Sequence, residues 1–435
     1  MLSYTDTLNY IFNLRGGEID LRLERVRQAL ALFDHPEKRY QAFHIAGTNG
    51  KGSTAAMTHS ILSAQGYRAA LYISPHLVSF TERIRIKDQD ISREEVIDLA
   101  ALIRKRLAQN GASLTFFEFV TLMALVYFVE KEVDVAVVEV GLGGRLDATN
   151  VVRPAVSVIT SIAMDHEAYL GNDLASIAGE KGGIIKEGVP VVVGAVPSEA
   201  EEVLRKLAAA NKTACYFSGQ DFSCTIKENG RFDYAGPEWQ WEGLSVALHG
   251  RFQRHNASLA LASLEIARAS FPVTEEAVRV GLERVSWPGR LETVLERPRV
   301  ILDGAHNVEG VKALTAELRT LSKGNGVRLV FGAMHDKDWR SMLCELTSVA
   351  GRIVLTKIPM PRSAEPAVLA EAISDRTAVQ IVEDPVQAVR SVLEKSSDED
   401  IIVVAGSLYL LGEVKPFLTE VAAGRAARIL PGDRV

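Results

Sequence analysis

Short apolar runs recur along the chain, each followed by a longer stretch with apolar residues at helical spacing. Brief apolar runs fit strands buried on both faces, and alternation with helices fits parallel strands joined by helical crossovers. Strands are predicted at residues 42–46, 69–73, 133–140, 155–162 and 189–193, with helices at 54–64, 119–129 and 174–186. The pattern restarts after Trp287-Pro288-Gly289-Arg290, with strands at 300–302, 327–331, 353–356, 379–382 and 401–405 and a helix at 308–321. Pro and Gly interrupt it between 286 and 299, so two domains are expected, 1–286 and 287–435. Residues 216–248 mix Gly, Asp and aromatics in short alternation, which predicts a small β excursion inside the first domain.

Composition removes several classes of function. The formal net charge is -6 and no basic run stands out, so the chain lacks the footprint of a nucleic-acid binder. An anionic substrate must be met by locally placed cations. Cys215, Cys224 and Cys344 form no C-x-x-C pair, and their odd number argues against a disulfide framework. A reducing cytoplasm is the expected location. Met1 to Asp6 has no basic start and no long apolar stretch, so no signal peptide is predicted. No apolar segment is long enough to span a bilayer, and no membrane partner is expected.

Ligands of open α/β sheets bind beyond the carboxyl ends of the strands, and polar residues gather there. The first strand runs into Gly47-Thr48-Asn49-Gly50-Lys51-Gly52-Ser53 and then a helix. Glycines let the backbone fold around phosphate, and a helix start offers free N–H groups and a positive dipole. Lys51 can neutralise terminal phosphates. The usual phosphate-loop pattern has Ser or Thr directly after Lys and Gly where Ile45 stands; here Gly52 intervenes. The next strand ends at Ser74-Pro75-His76, and 133–140 carries Glu139, which in so apolar a strand is expected to be paired or metal-bound. The strand near Ile162 leads into Asp165-His166. Lys51, Ser74, Glu139 and His166 together suggest a nucleotide–metal site for Mg²⁺, or for Mn²⁺ given a nitrogen ligand. The second half repeats the theme with Asp303-Gly304-Ala305-His306-Asn307 and Ala405-Gly406-Ser407, where cap and turn readings also apply. The expected fold class is α/β: a P-loop NTPase-like N-terminal domain with a parallel sheet and the β excursion, then a smaller Rossmann-like C-terminal domain.

The phosphate loop, Ser74-Pro75-His76-Leu77, the run from Glu139 through Gly144-Arg145-Leu146-Asp147-Ala148-Thr149-Asn150, and Asp303 to Asn307 resemble the signatures of folylpolyglutamate synthases. These enzymes are often bifunctional with dihydrofolate synthase in bacteria, and their superfamily includes the muramyl peptide ligases. The resemblance implies that Gly50, Lys51, Gly52 and Ser53 bind the phosphates of ATP and that Ser74, Glu139 and His166 hold Mg²⁺. It implies ATP contacts from Asn256, Arg290 and Asp303. Lys181 matches a lysine that is carbamylated in the family, although Ala is more common there where Gly182 stands. Asp20, Leu21, Arg22 and Leu23, with Thr115, Phe116, Phe117 and Glu118, and with Leu146, Asp147 and Ala148, match segments that bind dihydropteroate. Two adjacent aromatics cannot both face one side of an element, so one of Phe116 and Phe117 is expected to be free to stack on a pterin. Arg83, His306 and Ser407 resemble the site of the incoming glutamate.

The implied partners are ATP, dihydropteroate or reduced folates, and L-glutamate, acted on by a monomer. The implied chemistry is attack of a substrate carboxylate on the γ-phosphate, then attack of the glutamate amine on the acyl phosphate. The amine's proton goes to His306 or to a phosphate oxygen. Two alternatives stand beside this reading: a muramyl-peptide-type ligase, against which the Gly144 to Asp147 segment speaks, and a regulator that uses ATP as a switch.

Overall fold

The computed structural model describes residues 3–14, 23–373 and 378–429. The chain divides into two compact units, Met1–Ala247 with Gln253–Ser286, and Leu248–Phe252 with Trp287–Val435. In the first unit β1 (Gln41–Ala46), β2 (Ala69–Tyr72), β3 (Ile84–Ile86), β4 (Gln89–Asp90), β5 (Val135–Glu139), β6 (Pro154–Ile159), β7 (Val191–Val193) and β8 (Cys215–Phe217) form one sheet. Its order is β4-β3-β2-β5-β1-β6-β7-β8. The six strands from β2 to β8 in that order run parallel, and β3 and β4 add an antiparallel edge. Every residue of β5 is buried, as its apolar sequence requires of a strand covered on both faces. The helix Phe116–Glu130 is apolar all round and lies in the core.

The region 216–248 contributes a three-stranded antiparallel sheet of β9 (Ser223–Ile226), β10 (Phe232–Ala235) and β11 (Gln240–Leu244). Fully buried Glu265 ties it down, accepting hydrogen bonds from the Tyr234 hydroxyl and from the backbone of Glu238 and Trp239. The helix predicted over 174–186 stops at Gly182, because Gly183 caps it and the chain turns to bury Ile184 and Ile185.

The second unit is built on β12 (Glu292–Glu296), β13 (Arg299–Asp303), β14 (Val327–Phe331), β15 (Ala350–Leu355), β16 (Ala378–Ile381) and β17 (Ile401–Ala405). Their order is β12-β13-β17-β14-β15-β16, parallel except for β12. Asp303 and Ala405 are register partners at the ends of neighbouring strands, so the two polar turns of this unit sit side by side. Among the described residues no helix is long and apolar enough to cross a membrane.

Two histidines in the first core make stability depend on pH. Burial, reinforced by the charge of Lys186, lowers the pKa of His44 to about 3, and burial with Arg85 nearby lowers that of His59 to about 4. Both folded values lie below the unfolded one. As pH falls below about 6.5 the unfolded chain therefore takes up protons that the folded chain refuses. The stabilisation is complete above that pH and drains away toward the folded values. At pH 5 each histidine should cost about 2 kcal/mol. Urea midpoints should drop between pH 6.5 and 5, and the His44→Gln/His59→Gln protein should lose the larger part of that slope. An unchanged slope in the double variant would assign the pH dependence elsewhere.

Candidate active site

β2, β5, β1 and β6 are adjacent in the first sheet and deliver the predicted polar residues from their carboxyl ends. β1 enters the phosphate loop at Gly47, and the helix Lys51–Ala64 begins directly after it with Gly50 as its cap. Gly50 has φ 87 and Gly47 has φ 147, conformations that favour glycine. Space makes the same demand: a Cβ at Gly47 would collide with Thr160 Oγ1, and one at Gly50 with Asn256 Oδ1. The loop is laced to the end of β6. Thr48 N donates to Ser161 O at 2.8 Å, Asn49 N to Ser161 Oγ at 2.9 Å, and the Thr160 hydroxyl to Asn49 O at 2.6 Å. Sequence reasoning missed Thr160 and Ser161; two hydroxyl residues closing an apolar strand beside a glycine loop were the available signal.

Lys51 Nζ donates to Gly47 O at 3.0 Å and to Thr48 O at 3.1 Å. Lys181 Nζ donates to the same Gly47 O at 3.0 Å, although it lies 134 residues away in sequence. Lys181 is 4% exposed, so it is not a surface lysine on an amphipathic helix. The two nitrogens on one carbonyl are within about 6 Å of each other. Two unit charges at that spacing repel by roughly 3 kcal/mol at an effective dielectric of about 20.

Ser74 N donates to Glu139 Oε2 at 3.1 Å, which joins the ends of β2 and β5, and Glu139 is buried. His166 takes a left-handed conformation at the start of a single helical turn, with Nε2 3.9 Å from Asp165 Oδ1. Among the described residues no three His, Cys, Asp or Glu side chains converge on a metal position. Of the residues expected to hold a metal, Glu139 and His166 supply one carboxylate and one imidazole, and Ser74 is tied to Glu139 through its backbone N–H. That fits an ion such as Mg²⁺, which keeps waters and takes phosphate oxygens alongside one or two protein ligands.

The residues predicted to meet the pteridine lie in the same unit. Asp20, Leu21 and Arg22 fall outside the described residues, and Leu23 is buried just before the helix Glu24–Ala31. Thr115 and Glu118 form a capping box at the start of Phe116–Glu130. Glu118 also accepts from Arg25 at 2.8 Å. Thr-x-x-Glu is itself a helix-start signature, so this structural use was legible in the sequence. Phe116 and Phe117 point different ways and each meets an aromatic: Phe116 stacks on Phe12 at 5.4 Å, and Phe117 tilts against Tyr72 at 6.3 Å. The half-exposed Phe12 was not among the predicted residues. Arg83, which the resemblance assigns to the incoming glutamate, packs within this aromatic group of the first unit. Its guanidinium carbon is 5.2 Å from the Phe116 ring centre, and its Nε donates to His76 Nδ1 at 2.7 Å. Burial and the Arg83 charge lower the His76 pKa to about 3, which keeps Nδ1 an acceptor. Asp147 is buried and caps the turn Ala148–Val151, next to Leu146.

In the second unit buried Asp303 accepts from Leu291 N and Ala305 N, each at 2.9 Å. Burial raises its pKa, and the charge of Arg290 and these bonds oppose the rise. Arg290 donates to Gly289 O and lies against Gly304. His306 Nδ1 is 2.8 Å from Gly304 O, so a neutral His306 carries its lone pair on Nε2. Asn307 caps the helix Val308–Ser322, and buried Ser407 accepts from Tyr409 N.

The Mur ligase middle domain matches residues 45–264, and the Mur ligase glutamate ligase domain matches residues 289–408. The chain is 36% identical over 426 residues to the dihydrofolate synthase/folylpolyglutamate synthase of Bacillus subtilis, covering 95% of this chain and 98% of the relative. Escherichia coli FolC in complex with DHPP and ADP superposes with a TM-score of 0.89 at 34% identity, over 98% of this chain and 99% of that one. The bifunctional folylpolyglutamate synthase/dihydrofolate synthase from Yersinia pestis, complexed with AMPPNP and Mn ion, gives 0.87 at 35% identity, over 96% and 98%. With likeness of this extent over both units, the chain belongs to the dihydrofolate synthase/folylpolyglutamate synthase family of the Mur ligase superfamily.

Proposed function

We propose that this protein is an ATP-dependent ligase that joins L-glutamate to dihydropteroate and to reduced folates, working in the cytoplasm. The observation that carries the reading is the phosphate cradle, where two lysines converge on Gly47 O beside the Ser74–Glu139 pair. The FolC complex with DHPP and ADP supports dihydropteroate as the acceptor and ATP as the donor.

Gly50, Lys51, Gly52 and Ser53 bind the phosphates, and Asn256, Arg290 and Asp303 contact the nucleotide. Ser74, Glu139 and His166 would hold Mg²⁺, or Mn²⁺ in its place, which would supply neutralisation of charge on the phosphate oxygens. The substrate carboxylate attacks the γ-phosphorus, the bond to the bridging oxygen breaks, and ADP leaves. Both reactants are anions, so Lys51 must offset the charge that gathers at the transferring group. The glutamate amine then attacks the acyl carbon and phosphate departs with the acyl oxygen. His306, with Nδ1 turned to Gly304 O, presents Nε2 to take the amine proton.

Purified protein given ATP, Mg²⁺, L-glutamate and dihydropteroate should release ADP at a rate that depends on every component, and should also extend tetrahydrofolate. Activity confined to folates that already carry glutamate would remove the dihydrofolate synthase half. ATP turnover that ignores both acceptors would favour a nucleotide switch.

A further inference from the structure

β1, the strand that feeds the phosphate loop, carries one side chain that the chemistry above does not use. His44 is fully buried, with Val138 of β5 and Ser157 of β6 as its register neighbours. Its Nε2 lies 2.9 Å from Thr149 Oγ1, and the Thr149 hydroxyl in turn bonds Asp147 Oδ1. Asp147 also accepts from Thr149 N at 3.0 Å on that oxygen and from Leu142 N at 2.9 Å on the other. Burial raises the Asp147 pKa and the hydrogen bonds from Thr149, Leu142 and Gly141 oppose that rise; N–H donors on both oxygens are the surroundings of an ionised carboxylate, which can only accept. The single hydroxyl hydrogen of Thr149 therefore goes to Asp147, and Thr149 Oγ1 must accept from His44. This fixes the hydrogen of His44 on Nε2. Nδ1 of His44 is buried and has no hydrogen-bond partner, as suits a bare lone pair; an N–H there would be an unpaired buried donor.

Both oxygens of Asp147 thus accept from residues of its own loop, Gly141, Leu142 and Thr149. Asp147 closes the loop, and its neighbours Leu146 and Ala148 take their places from that closure. We propose that His44 and Thr149 are positioning residues that set the 141–150 loop through Asp147 and so tune affinity for the pteroate substrate. The proposal rests on the assignment of Leu146 to Ala148 to that substrate. It makes β1 serve two ends of the reaction, the phosphate loop directly and the pteroate loop through a chain of two hydrogen bonds.

The test is equilibrium binding of 7,8-dihydropteroate and of ADP, with variants chosen for their atoms. Thr149→Val keeps shape and loses the hydroxyl; Thr149→Ser keeps the hydroxyl. A Gln amide nitrogen can stand in for His Nε2, whereas Asn reaches only to the Nδ1 position. Thr149→Val and His44→Asn should weaken dihydropteroate binding about tenfold, the worth of one lost buried hydrogen bond, with ADP affinity unchanged. Thr149→Ser and His44→Gln should stay near the parent. A merely structural role would lower the folded fraction and shift both ligands alike, and that result overturns the proposal. Nitrogen NMR of the unaltered protein gives a readout independent of variant folding: His44 should be the neutral Nε2–H tautomer, and an Nδ1–H tautomer overturns the chain of bonds. A parent that fails to bind dihydropteroate overturns the substrate assignment and the proposal with it. A parent that binds while Thr149→Val binds equally well overturns the proposal alone.

Discussion

Lys51→Ala is expected to lower kcat for ADP release by about 10²–10³-fold, the range for loss of one charge-stabilising donor at a reacting group. The unfolding transition should move little. In the folded protein the Lys51 ammonium bonds two backbone oxygens of the loop, Gly47 O and Thr48 O, at a partly buried site. Losing such bonds costs about 1 kcal/mol each, because water can replace them in part. Losing the charge is another matter once a carboxylate and a triphosphate must approach each other. Lys51→Arg should not restore the rate. A planar guanidinium cannot place one compact positive centre against two carbonyls of a tight glycine loop. Steady-state ADP release and thermal unfolding on the same preparations decide the point. A near-normal kcat in Lys51→Ala with normal unfolding would remove the loop from the reaction.

The features legible in the sequence are those with a short-range signature. Parallel strands buried on both faces must be apolar runs, so β1, β5 and β17 announce themselves, and their polar ends mark Lys51, Glu139 and Ser407. Edges are harder. β3 and β4 are short and carry Arg85, Gln89 and Asp90, a polar composition that reads as loop but suits a strand guarding a sheet edge. β12 is likewise a half-exposed antiparallel edge with no apolar run. Long-range meetings leave no mark at all. Nothing near Lys181 in sequence says that its nitrogen reaches Gly47 O, and nothing near Arg83 says that it lies over Phe116. Asp147 shows a third kind of gap. The motif singles it out, but only the fold reveals that its carboxylate faces its own loop and the core.

Lys181→Ala should cost most of the activity, and the cause proposed is loss of a carbamate. Lys181 is 4% exposed and shares Gly47 O with Lys51. Two ammonium groups so placed repel each other, and burial strengthens the penalty. An incoming metal–phosphate group would add a divalent cation to the same rim. CO₂ on the Lys181 nitrogen forms an N–C bond and releases a proton; the product has one negative charge and two acceptor oxygens. Repulsion with Lys51 becomes attraction, and the new oxygens suit a magnesium water shell. Because formation needs the neutral amine and CO₂, activity should fall in buffer stripped of CO₂ and bicarbonate and return when bicarbonate is added. ¹³C-labelled bicarbonate should give a carbamate carbon resonance in the parent that is absent from Lys181→Ala. A short carboxylic acid should partly rescue Lys181→Ala, since it can supply the missing oxygens without the chain, and should do nothing for Lys51→Ala, where the missing charge is positive. A fully active Lys181→Ala enzyme, or a parent that shows no labelled carbon at Lys181 and no bicarbonate dependence, would leave the residue as a buried tether between its helix and the phosphate loop.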